Sequence, residues 1–98
     1  MRNKHFVVAY DICDSKRRNK LSKWLLNFAY RVQCSVFEMK SDEITLRKVL
    51  LGIEKCLKEE EDSVIIYELD ADSWEKKILF GPQTVERNFC EQDFIIMG

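Results

Sequence analysis

An α+β fold, with two helices on one face of an antiparallel sheet, is predicted by three features of the sequence. Two nearly continuous apolar runs rich in β-branched and aromatic residues lie near 5–12 and 63–69, two apolar stripes at helical spacing lie between them, and a β-favouring stretch separates the stripes. The chain has 98 residues, 46% of them apolar, enough for one hydrophobic core and too few for two. One Pro, three Gly and no low-complexity tract argue against a disordered or collagen-like chain.

The first run, His5 to Ile12 (HFVVAYDI), has the pattern of a central strand buried on both faces. Asp14 or Ser15 can cap the helix that follows, because their side-chain oxygens accept from free N–H groups of a first turn. Leu21, Trp24, Leu25 and Phe28 then fall at i, i+3, i+4 and i+7, which predicts helix one over 16–29. Residues 31–40 return to β-favouring types (Val32, Val36, Phe37) and form one bent strand or two short ones broken near Cys34 and Ser35. Ser41 or Asp42 can cap a second stripe, Leu46, Val49, Leu50, Ile53 and Leu57, giving helix two over 43–60 before it dissolves into an acidic run. Ser63 to Leu69 is another apolar strand, and residues 77–80 before Gly81 and Pro82 read as a short strand and its turn.

The order is β-α-β-β-α-β with a C-terminal β extension near 76–97, which is the ferredoxin-like pattern with its core over about 5–69 in a single domain of residues 1–98. Both helices cover one sheet face, and the other is left open. An apolar open face in so small a domain finds a partner, and a two-fold homodimer is the commonest solution. The C-terminal segment, ending in Phe94, Ile95, Ile96 and Met97, can add to a sheet edge of its own or of a neighbouring subunit.

No apolar run approaches the ~20 residues needed to span a bilayer, and the N-terminus leads into a strand with no signal-peptide core. The four cysteines, 13, 34, 56 and 90, lack Cys-x-x-Cys spacing and read as free thiols in a reducing compartment, so the expected location is cytoplasmic. The net charge of -1 hides an asymmetry. Residues 1–40 carry nine Lys or Arg against three acids, and residues 41–98 carry seven against fourteen. A fold that keeps these halves apart has a basic face for polyanions and an acidic face that repels them; a fold that interleaves them gains only solubility.

Asp11 stands out at the end of an otherwise apolar strand, where a carboxylate is costly unless exposed, paired or bound to a cation. Metal-assisted phosphodiester hydrolysis needs hard oxygen donors for Mg²⁺ or Mn²⁺, and one Asp is too few. A two-fold axis near Asp11 supplies a second from the partner chain. The structural alternatives are a turn cap or a pair with Arg17. Lys16, Arg17, Arg18, Lys20 and Lys23 crowd the first turns of helix one, where cations oppose the macrodipole. Local stability does not account for them; a phosphate-binding surface does, as does a solvated basic face offset by Asp14. Nothing in this cluster reads base edges, so nucleic-acid binding should be sequence-independent and salt-sensitive. His5 is the only histidine, which disfavours zinc sites and Cys-His or Ser-His dyads, and there is no glycine-rich nucleotide loop.

Tyr10-Asp11-Ile12, then Asp14 to Lys20 (DSKRRNK), then Arg31 to Glu38 (RVQCSVFE), then Asp62 to Tyr67 (DSVIIY), resemble the small CRISPR-associated Cas2 family. The resemblance runs from about His5 to Leu69, and the Arg-Val-Gln-x-Ser-Val-Phe-Glu octet is its most specific part. It implies a ferredoxin-like homodimer that partners the Cas1 integrase in acquiring new spacers, binds DNA or RNA, and can act as a metal-dependent endoribonuclease or endonuclease. By the same resemblance Asp11 is the metal ligand for Mg²⁺ or Mn²⁺ across the dimer axis. The family's other functional positions fall on Tyr10, Arg17, Arg18, Arg31, Ser35 and Phe37, which it implies are catalytic or nucleic-acid-binding. Cys34 stands where an aromatic is common in the family, and Ala29-Tyr30 where a glycine often closes helix one. Two other readings stay open: a non-catalytic DNA-binding scaffold, and a toxin-like ribonuclease of the same fold.

Overall fold

Alternation along the first strand divides the molecule into two sides. In β1 (Lys4–Asp11), Phe6, Val8 and Tyr10 are buried, while His5, Val7 and Ala9 are half-buried and Asp11 is exposed. A period of two sends these sets to opposite faces. The computed structural model describes residues 3–78 and residue 80. Its further elements are α1 (Ser15–Leu25), β2 (Tyr30–Gln33), β3 (Val36–Ser41), α2 (Glu43–Cys56), β4 (Ser63–Leu69) and α3 (Ala71–Glu75).

The sheet order is β2-β3-β1-β4, with all three pairings antiparallel. Register sets Val8 beside Phe37 on one side and Ile66 on the other. Phe37 and Val8 are fully buried beneath Leu21 and Leu25 of α1 and Val49 and Ile53 of α2. The ferredoxin-like α+β expectation therefore holds. The break in residues 31–40 falls at Cys34 and Ser35, giving two strands joined by a tight turn.

Both helices start at an aspartate cap. Asp14 accepts from the Arg17 N–H at 2.9 Å, and Asp42 from the Thr45 N–H at 2.8 Å. Both end earlier than their apolar stripes. Helix one stops at Leu25 rather than 29, because the Asn27 side chain bonds the carbonyls of Lys23 and Trp24 and a turn carries Phe28 back against Trp24, ring centroids 5.0 Å apart. Helix two stops at Cys56 rather than 60. Leu57 is extended, and the Asp62 carboxylate captures the Lys58 N–H at 2.9 Å, folding the acidic run into a loop.

The helices meet at a close contact. The Trp24 indole donates to the Val49 carbonyl at 3.1 Å and fills the space where a Cβ on Gly52 would stand, 2.1 Å from Trp24 Cε2. Only glycine fits there.

Beyond β4 the sequence reading misses α3, capped by Asp70 accepting from the Ser73 N–H at 2.7 Å. This helix folds onto one end of the open sheet face, stacking Trp74 on His5 with centroids 4.5 Å apart. Lys77, expected in a strand, instead lies over the Trp74 ring and pairs with Glu38 of β3. Lys77, Ile78 and Phe80 form no strand, and the extension expected over 81–97 lies outside the described residues.

Candidate metal and nucleic-acid site

Asp11 ends β1 on the open side of the sheet, exposed and in register with Ser63 of β4. Its neighbours on that face are Val7 and Ala9, with Ile65 and Tyr67 beside them, 51% and 55% exposed. The face left clear by α3 is thus an apolar strip ending in one carboxylate. Among the described residues no group of three or more His, Cys, Asp or Glu is placed to hold a metal ion.

Tyr10 points to the covered side and fixes the β2–β3 turn. Its N–H donates to the Ser35 carbonyl at 3.1 Å and its hydroxyl to the Cys34 carbonyl at 3.2 Å. Ser35 is half-buried beside it. The Tyr10 ring stacks on Phe37 at 6.2 Å, and the Arg31 guanidinium lies over the Phe37 ring, 5.5 Å from its centroid, donating to the Ser22 hydroxyl. Arg31 is 3% exposed and Phe37 fully buried, so both lie in the core and neither reaches the surface where Asp11 stands.

The five cations of α1 divide in two. Arg17 is held by carboxylates: Nε to Asp62 at 2.7 Å, Nη2 to the other Asp62 oxygen at 3.2 Å and to Glu61 at 3.0 Å, with Asp14 at 3.9 Å. This fork geometry holds the Arg17 guanidinium charged well above its usual range. Arg17 holds the Asp62 carboxyl below the usual aspartate range, and Lys58 with Arg17 does the same for Glu61. Arg17 thus pairs Asp62 rather than Asp11. Arg18 donates to the carbonyls of Ile12 at 2.9 Å and Cys13 at 3.2 Å, gathering the loop that follows Asp11. These two arginines fasten that loop to the start of α1 and the end of the α2–β4 loop. Lys16, Lys20 and Lys23 are exposed and form no ion pair with a described carboxylate.

Sequence reasoning misses the pairing of Asp62 with Arg17, 45 residues away. The usable signal is the place of Asp62: it precedes the strand that pairs antiparallel with β1, so it arrives next to the loop after Asp11. Also missed are Lys48 and Lys55, which sit in the acidic half of the chain but share a groove with Lys20 and Lys23. No helix among the described residues is long and apolar enough to cross a membrane.

The family model for CRISPR associated protein Cas2 matches residues 4–77. The chain is 38% identical over 95 residues to CRISPR-associated endoribonuclease Cas2 2 of Synechocystis sp., covering 94% of this chain and 97% of that one. A crystal structure of the hypothetical protein TT1823 from Thermus thermophilus is similar with a TM-score of 0.75 and 32% identity, over 83% of this chain and 94% of that one. A chain of a partial Cas6-RT-Cas1–Cas2 complex is similar with a TM-score of 0.68 and 26% identity, over 86% of this chain and 92% of that one.

Proposed function

The chain belongs to the CRISPR-associated Cas2 family, and from that premise we propose that it works in CRISPR adaptation as a two-fold homodimer. In that role it bridges Cas1 integrase subunits along nucleic acid and carries a metal-dependent endonuclease activity on RNA or duplex DNA. The observation that carries this reading is the open face of the sheet, an exposed apolar strip with Asp11 at its end. Pairing two such strips buries them and sets one Asp11 from each chain at the seam. The Cas1-containing assembly of a structural relative supports the integrase partnership. Cys13 and Cys56 are free thiols, in keeping with action in a reducing cytoplasm.

The residues fit a hard divalent cation. Asp11 is an exposed oxygen donor, and Mg²⁺ keeps several waters and takes one or two carboxylates plus substrate phosphates. When bound, the ion polarises a phosphodiester and lowers the pKa of a coordinated water. Arg18 holds the carbonyls of Ile12 and Cys13, which ties down the loop that follows Asp11. Tyr10 fixes the Cys34–Ser35 turn on the other flank, with Phe37 and Arg31 supporting Tyr10 from the core. Lys16, Lys20 and Lys23 attract the sugar-phosphate backbone as point charges, and Arg17 ties the helix that carries them to Asp62 before β4.

The test is cleavage of labelled single-stranded RNA and duplex DNA, with and without Mg²⁺, by the parent dimer and by Asp11→Asn. Metal-dependent cleavage that Asp11→Asn loses while remaining dimeric is the expected result; equal cleavage by both removes Asp11 from the reaction. The lack of any group of three or more ligating residues among the described residues favours a second reading, a non-catalytic DNA scaffold. On that reading Asp11→Asn leaves spacer acquisition intact, while reversing Lys16, Lys20 and Lys23 to Glu abolishes it. A toxin-like ribonuclease of the same fold would act without an integrase.

A further inference from the structure

The packing of Trp24 against Gly52 leaves a furrow between α1 and α2, on the side of the molecule away from Asp11 and the open sheet face. Its volume is about 600 Å³. The floor is apolar: the Trp24 indole edge, the backbone of Gly52, the buried Cys56 and Leu51, which is 61% exposed. The banks are cationic, with Lys20 and Lys23 on α1 and Lys48 and Lys55 on α2. No acid lines the furrow, and none of the four lysines pairs with a described carboxylate. Elsewhere on this surface Lys4, Lys58, Lys76 and Lys77 all have acidic partners. The furrow is therefore the one place among the described residues where four uncompensated ammonium groups surround exposed apolar surface.

We propose that the α1–α2 furrow docks an acidic amphipathic helix of a protein partner, its carboxylates on the four lysines and one bulky apolar side chain on Leu51 and Trp24. An apolar floor with charged banks suits a helix laid in a groove, read through one apolar face with acids on either side. A nucleic-acid backbone, which the proposed function brings to Lys20 and Lys23, is the competing occupant of this furrow and fills its apolar floor less well. It would set phosphates over Leu51 and the indole edge with no apolar surface to cover them, and the banks carry no arginine fork for bidentate phosphate contact. Lysine stems can lie along apolar surface and leave their heads to meet carboxylates; the Lys48 ammonium itself sits over the Phe28 ring, 5.9 Å from its centroid.

The probe is a fluorescein-labelled helical peptide with leucines on one face and glutamates on the others, titrated into the full-length protein. A second peptide of equal charge without leucines and a short DNA duplex serve as comparators. The expected result is saturable binding of the leucine peptide that weakens about tenfold or more in the double variant Lys48→Glu, Lys55→Glu. Leu51→Gln, which keeps every charge, should weaken it several-fold, and Lys76→Glu outside the furrow should leave it unchanged. Circular dichroism confirms that each variant is folded. The proposal fails if the leucine peptide does not bind, if both peptides bind alike, or if the furrow variants bind as the parent does. It fails equally if they lose the duplex and not the peptide, since nucleic acid would then be the occupant.

Discussion

The two faces of the sheet are built from the same strands and differ in almost everything else. On the covered face Phe6, Val8, Phe37 and Met39 are each at most 3% exposed and meet two helices. On the open face Val7 and Ala9 lie among Ile65 and Tyr67, which remain half in solvent, and only α3 shields one end. The covered face is finished within one chain, whereas the open face leaves apolar surface in solvent, the surface that the proposed dimer would bury. Position along β1, odd or even, thus decides whether a residue enters the core or faces the open side.

The largest effect expected from this contrast is Phe37→Ala, which empties the fully buried centre of the covered face and should cost about 3–5 kcal/mol in urea unfolding. Tyr67→Asp on the open face should leave the circular dichroism spectrum native while shifting sedimentation from dimer to monomer. Should Tyr67→Asp unfold the chain instead, the open face is part of the monomer's core and the contrast collapses.

Gly52→Ala comes next. Its new Cβ would meet the Trp24 ring at 2.1 Å, and relieving that overlap should cost about 1–3 kcal/mol, measured by thermal and urea unfolding. Combined with Trp24→Phe, the cost should shrink.

Acid should act through Asp62. Its carboxyl is depressed on folding by Arg17, so the stabilisation is present above the unfolded value near 3.8 and is lost as pH falls through the lower, folded value. Asp62→Asn should therefore destabilise the protein at pH 7 and flatten the fall in stability between pH 4 and pH 2; an unchanged acid profile would assign that fall to other carboxylates. The smallest effect belongs to Lys4→Ala. Lys4 lies 3.7 Å from both Glu43 and Glu68 at an exposed site, and unfolding should register about 0.5 kcal/mol or less.

Much of this architecture is legible in residue order, for stated reasons. The strands at 5–12 and 63–69 declare themselves because a sheet partner on each side selects β-branched and aromatic side chains at consecutive positions. Helix starts are visible as aspartate caps at Asp14 and Asp42. Helix ends are not, since Asn27 and Asp62 terminate them through hydrogen bonds that compete with an apolar stripe running further. α3 is too short for periodicity to reveal. Of the candidate site, Asp11 could be singled out because a carboxylate breaks an apolar run. The employment of Arg17 and Arg18 as fasteners could not, because their partners are an aspartate far along the chain and two backbone carbonyls. Nor could the furrow lysines, which unite cations from the basic and the acidic halves of the sequence.

Binding of Mn²⁺ to the purified dimer, followed by calorimetry and electron paramagnetic resonance, tests the central claim most directly. One ion shared by two chains, lost in Asp11→Asn without dissociation of the dimer, is the result that follows from pairing the open faces. An ion bound by each chain separately, or Mn²⁺ binding undiminished in that variant, would contradict it.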